Sequence, residues 1–158
     1  MSKKITKTNA MRLLDKEKIP YEIKEYPSSV IAALDVAEFL NQSPEKLFKT
    51  LVTTDLEHGY YVFCLPAASE LDLKKGAKIL GIKKLEMLKQ KELLPLTGYI
   101  HGGCSPVGMK KAFPTVIDKS ALNHNEIFVS GGKIGLQIQI NPKDLEQILD
   151  LKFDDICK

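Results

Sequence analysis

Lys49 lies in "LFKTLVTT" (47–54), where Leu47, Lys49 and Leu51 alternate with Phe48, Thr50 and Val52. In an extended chain the two sets point to opposite faces. Both are largely apolar, so the segment reads as a central strand. A lysine there is costly unless its ammonium finds a partner or the mouth of a pocket. Such an ammonium suits the neutralisation of a phosphate or of a developing oxyanion. The competing reading is a lysine that snorkels out at a strand end or guards a sheet edge. Two glycine turns offer complementary chemistry. "HGGCSPVG" (101–108) and "VSGGKIG" (129–135) carry the pairs Gly102–Gly103 and Gly131–Gly132. Consecutive glycines let backbone N–H groups converge on an anion, and Ser105 and Ser130 would add hydroxyls. Plain hairpin or bulge turns without a ligand fit the same spacing.

A protein nucleophile has weaker support. His101 is close to Ser105 in sequence, but no Ser/His/Asp arrangement is recognisable. Cys104 reads as a small apolar packing residue. The histidines (58, 101, 124) form no HxxxH and the cysteines (64, 104, 157) no CxxC, so neither a metal site nor a disulfide framework is expected. "SGGKIG" lacks the upstream glycine of a P-loop and has Ile134 where Ser or Thr should follow the lysine. No cofactor is expected.

The elements that must position these residues follow from periodicity and punctuation. Thr8 or Asn9 caps a first helix ending near Lys18, before Pro20. Tyr21 to Tyr26 alternates as a strand. Val36, Phe39 and Leu40 mark one face of a second helix, and Ser43–Pro44 starts a short helical turn. Segment 60–66 is the hairpin partner of 47–54 across "EHG". "LDLKKGAKIL" is helical and Gly81 ends it. A short strand near "KKLEML" and a helical "QKELL" lead to the first glycine turn. "PTVIDKSA", "EIFVSG" and "GLQIQI" are strands. Asn141–Pro142 starts a helix with Leu145, Ile148 and Leu149 on one face, and "KFDDI" closes the chain as a strand. Strands and helices do not alternate strictly, which favours a mixed or antiparallel α/β sheet, curled on itself, over a doubly wound one.

The composition fits one domain over residues 1–158. The chain is 44% hydrophobic and 27% charged, with formal net charge +3. That balance permits nucleic-acid contact without arguing for it. From Lys74 to Lys91 seven lysines stand against Glu86 alone, a pattern that also describes a solvated helix face. "MSKKITKTNA" is basic, but no apolar run follows. Neither a signal peptide nor a membrane span is expected, and the cytoplasm is the default location.

Taken in order, "FKTLV", "LDLKKGAKILGIKKLEM", "TGYIHGGCSPVGMKK", "TVID" and "IFVSGGKIGL" resemble the YbaK/EbsC-type Cys-tRNA(Pro) deacylases, within the superfamily of prolyl-tRNA synthetase editing domains. The resemblance runs from about Asn9 to Ile156. It implies a small single-domain α/β fold with a mixed, barrel-like sheet surrounded by helices. It also implies an enzyme that clears mischarged Cys-tRNA(Pro) in trans, alongside prolyl-tRNA synthetase, with Cys-tRNA(Cys) as a further substrate. The family's essential lysine falls on Lys49, followed by Thr50. Its tyrosine falls on Tyr26, and its glycine turns on Gly102–Gly103 and on Ser130, Gly131 and Gly132. Ser105 is carried with them as a substrate-binding candidate.

The implied chemistry uses the substrate's own cysteinyl thiol, which attacks its ester carbonyl and leaves as a cyclic thiolactone. The enzyme then holds a reactive conformer and stabilises the oxyanion, with Gly102–Gly103 N–H groups facing the carbonyl. The 74–91 lysines would meet phosphates of the acceptor stem. Two departures stand out: Cys104 where relatives often have Ile, and Gln137 where some have Asp. The rival expectations are an editing hydrolase for another charged tRNA, such as Ala-tRNA(Pro), and a non-catalytic module that binds tRNA or the synthetase.

Overall fold

The computed structural model describes residues 6–158. Helix α1 (Asn9–Lys16) starts at Thr8, whose hydroxyl accepts from the Met11 N–H at 3.2 Å. The same hydroxyl donates to the Gly131 carbonyl at 2.5 Å, which fastens α1 to the second glycine turn. α1 stops two residues before the expected end, and Lys18 takes a left-handed φ of 58°. Strand β1 (Glu22–Glu25) follows, then α2 (Ala33–Phe39), which buries Val36 and Ala37. Phe39, expected on the same buried face, is 54% exposed. Ser43–Pro44 makes a turn and no helix: the Ser43 hydroxyl accepts from Glu45 N, and the Ser43 carbonyl from Lys46 N.

β2 (Phe48–Thr54) and β3 (Tyr60–Pro66) form the expected antiparallel hairpin. Its turn is held by Asp55, whose Oδ1 accepts from the N–H groups of Glu57 and Gly59, each at 2.8 Å. α3 (Leu73–Leu80) is capped by the Asp72 carboxylate on Lys74 N and Lys75 N. Gly81 closes it at φ 70°, the backbone conformation that suits glycine. β4 is only Glu86–Met87, and α4 is Gln90–Thr97. β5 (Thr115–Asp118), β6 (Ile127–Ser130), β7 (Leu136–Ile140) and β8 (Leu151–Asp154) complete the strands. The helix expected after Asn141–Pro142 is a 3-10 helix, Pro142–Gln147, which still buries Leu145.

The strands make two sheets, β1-β7-β6 and β4-β2-β3-β5-β8. The second is mixed: β2 is antiparallel to β3 and β4, while β5 is parallel to both β3 and β8. The sheets meet at one parallel bridge, Leu47 with Phe128. The expected barrel-like curl is therefore present without closure. The main core lies between the sheets and α1, around Phe48, Val62, Ile117, Val129, Ile138 and Met11. A second cluster sits under α3, and a third, including Tyr26, Leu47 and Phe128, under α2. No helix among the described residues is long and apolar enough to cross a membrane.

Candidate active site

The open seam between the sheets holds a cavity of about 240 Å³. β2 is interior in its sheet, yet one edge is uncovered. β4 pairs only with Thr53 and Thr54, and the bridge to β6 ends at Leu47. The hydrogen-bonded contacts to β3 fall on alternate residues, as the Ala67 N–H to Leu47 carbonyl bond shows. Val52 turns its carbonyl the other way, to Leu88 N. By this alternation the N–H and C=O of Thr50 point into the seam. This explains how a strand with apolar faces carries Lys49: the lysine sits beside a gap in the ladder, not in the middle of a closed sheet.

Lys49, Thr50, Tyr26, Gly102 and Ser130 all line the cavity. Lys49 is half-buried, makes no ion pair among the described residues, and donates to the Ala67 carbonyl at 3.2 Å. A lysine held by one neutral acceptor keeps donors free for an anion. The Thr50 hydroxyl lies 3.7 Å from the Cys64 sulfur. Tyr26 and Ser130 are both buried, and the Ser130 hydroxyl accepts from Gly132 N at 3.2 Å.

Gly103, Gly131 and Gly132 stand outside the cavity lining and spend their polar groups within the turns. Gly103 N donates to the Ile100 carbonyl, Gly131 N to the Leu136 carbonyl, and Gly132 N to Ser130 Oγ. The expected nest of converging N–H groups therefore does not form at these three positions. Gly103 is small for another reason: a Cβ there would lie 2.8 to 2.9 Å from the backbone of Lys133 and Ile134, so the two turns pack directly on each other. The Gly102 N–H has no partner among the described residues, and its φ of 85° together with a Cβ position 2.9 Å from Ile31 demands glycine. Ser105 is fully buried, bonds Val107 N at 3.2 Å, and stands outside the cavity lining.

Three polar lining residues were not among the sequence-derived site candidates: His101, Cys104 and Gln137. His101 makes no hydrogen bond to a hydroxyl or thiol among the described residues, so no nucleophile–base pair is assembled. Burial pushes the Cys104 thiol up to about 12, and Cys64 behind it likewise to about 12. Both are thiols, not thiolates, at neutral pH. Gln137 pairs with Ser130 across β6 and with Lys24 across β1, and alternation along β7 would have placed it beside Ser130. The wall formed by Ile31 and α2 carried no signal of its own in the sequence. No cluster of three or more His, Cys, Asp or Glu residues fit to hold a metal occurs among the described residues.

A half-buried ammonium, free backbone groups and no activated side chain have the chemistry to orient an ester and to stabilise charge on it. The aminoacyl-tRNA editing domain model matches residues 28–148, and the chain belongs to that family. It is 46% identical over 99% of its length, and 98% of the relative's, to the Enterococcus faecalis (strain ATCC 700802 / V583) protein named as a proposed Cys-tRNA(Pro)/Cys-tRNA(Cys) deacylase, EbsC. It is 31% identical to proline–tRNA ligase of Thermosipho africanus (strain TCF52B), over 69% of this chain but only 19% of that enzyme. A crystal structure of a proposed trans-editing enzyme for prolyl-tRNA synthetase superposes with TM-score 0.84 at 25% identity, covering 98% of this chain and 99% of that one.

Proposed function

We propose that residues 1–158 form one editing domain that deacylates Cys-tRNA(Pro), and Cys-tRNA(Cys) as a further substrate, using the substrate's own thiol. The observation that carries this reading is the cavity's lack of an activated protein nucleophile: its one lining thiol, Cys104, is held protonated by burial. The cysteinyl sulfur attacks its own ester carbonyl and an S–C bond forms. The C–O bond to the ribose breaks, the thiol proton passes to the departing ribose oxygen, and a thiolactone leaves. The intramolecular geometry supplies most of the advantage. Lys49 fixes the ribose or terminal phosphate beside the ester. The free N–H of Gly102 and the seam-facing N–H of Thr50 serve the carbonyl oxygen, while Tyr26 and Ser130 orient the aminoacyl group. At about 240 Å³ the cavity is below the roughly 300–1,000 Å³ of a typical ligand pocket. It suits the aminoacyl group and leaves the nucleotide outside. The closeness to proline–tRNA ligase supports tRNA(Pro) and its synthetase as partners, met in the cytoplasm.

A panel of Cys-, Ala- and Pro-charged tRNA(Pro) tests the reading. Fast release from the cysteinyl ester alone is expected. Release of alanine at the same rate would mean that water attacks, and the chain would then be an editing hydrolase. Binding of tRNA without release of any amino acid would make it a non-catalytic module.

A further inference from the structure

The editing reading leaves Gln137 unused, and Gln137 has an unmet need. It is 5% exposed and lines the cavity, yet its Oε1 is buried with no hydrogen-bond partner. A buried amide oxygen without a donor loses its hydration with nothing in return, so such atoms call for an explanation. With no donor on that oxygen, nothing holds the amide in its present rotamer. Rotation about the outer side-chain bonds brings the oxygen to the cavity face as an acceptor. The ligand there would need to be a hydrogen-bond donor.

The charges around the cavity decide which donor. Among its lining residues there is no carboxylate. The groups that titrate or carry charge there are Lys49 from β2, His101 from the first glycine turn, the Cys104 thiol and the Tyr26 hydroxyl. Facing Gln137 across the sheet are Lys24 of β1 and the Ser130 hydroxyl of β6. Lys24 is already 3.8 Å from Glu22. None of the acids on the elements that wall the cavity (Glu22 and Glu25 of β1, Asp35 and Glu38 of α2, Glu92 of α4) reaches the lining. An ammonium placed here would face the Lys49 cation with no counter-charge. A neutral amine would find an acceptor and no repulsion.

Resting on the editing reading, we propose that Gln137 is a specificity residue that takes the substrate's α-amino group in its uncharged form, with the amide oxygen accepting from the NH2. An aspartate at this position would instead balance an ammonium. The neutral amide thus sets which protonation state of the aminoacyl ester the cavity admits.

The test uses two uncleavable ligands on the full chain. They are 3′-cysteinylamido-3′-deoxyadenosine and its 3-mercaptopropionyl counterpart, which has the thiol but no amine. Dissociation constants are measured from pH 5.5 to 8 by calorimetry. Below the amine's pKa, ordinarily about 7.7–8, the cysteinyl constant divided by the mercaptopropionyl one is expected to rise about tenfold for each unit by which the pH is lowered. Taking the ratio cancels the titration of His101 and other protein groups, and needs no variant. Gln137→Asp is expected to flatten or reverse that slope. A ratio independent of pH in the wild type overturns the proposal while leaving the editing reading intact, as does a Gln137→Asp profile identical to wild type. A folded protein that binds neither ligand at any pH overturns both.

Discussion

Burial decides the chemistry of the thiols before a substrate arrives. Cys64 and Cys104 are each pushed up to about 12, and Cys157 to about 11, chiefly by desolvation of the thiolate. The sign follows directly. Raised folded values mean that the stability contributed by the neutral thiols is complete below the unfolded value of about 8.5. It declines only as pH climbs towards 12. Alkylation of Cys104 in the native protein should therefore stay far slower than that of a free cysteine throughout about pH 7 to 9, where a free thiol ionises. Peptide mapping after iodoacetamide treatment reads this. Cys104→Ala should keep kcat/KM on Cys-tRNA(Pro) within a few-fold, against the roughly 10⁴-fold or larger loss that removal of a true nucleophile brings. A steep loss would make the protein's sulfur the attacking group. At this scale the sequence was informative about side-chain type and poor about backbone. Lys49, Tyr26, Thr50 and Ser130, which line one cavity, could be singled out because their residue types were out of place or belonged to a recognisable pattern. The hydrogen bonds that occupy Gly103, Gly131 and Gly132 depend on partners such as Ile100 and Leu136, and on how the turns close.

Elements with a local cause were legible, and those set by distant packing were not. The β2–β3 hairpin was readable because alternation and the Asp55–Gly59 turn lie within one short segment. The gap beside β2 was not, because it exists only where β4 is too short and the bridge to β6 stops. Likewise the Asn141–Pro142 start was correct, but the segment behind it is a 3-10 helix that buries Leu145. The contact between the two glycine turns belongs to this scale. Gly103 does not need a left-handed backbone; it needs the absence of a Cβ against Lys133 and Ile134. Gly103→Ala is expected to destabilise the protein by about 1–3 kcal/mol through overpacking against backbone that cannot swing aside. Thermal unfolding measures this, and an unchanged Tm would show that the turns do not pack as described.

The described residues fold into two sheets that fail to close, and the failure leaves the cavity between them. Lys49 and Thr50 come from the five-stranded sheet, Ser130 and Gln137 from the three-stranded one, and Tyr26 from the end of β1. A closed barrel would cover the β2 edge with ladder hydrogen bonds and fill the space an ester is to enter. The family match over residues 28–148 and the agreement with full-length relatives place this architecture among editing domains. The central claim is that Lys49, beside an open strand edge, holds a cysteinyl ester for attack by its own thiol. Single-turnover deacylation of Cys-tRNA(Pro) by the wild type and by Lys49→Ala tests it most directly. The account predicts a loss of about 10²–10³-fold in Lys49→Ala, the scale at which removal of one charge-stabilising donor acts, with the fold retained. Equal rates in the two proteins would contradict it.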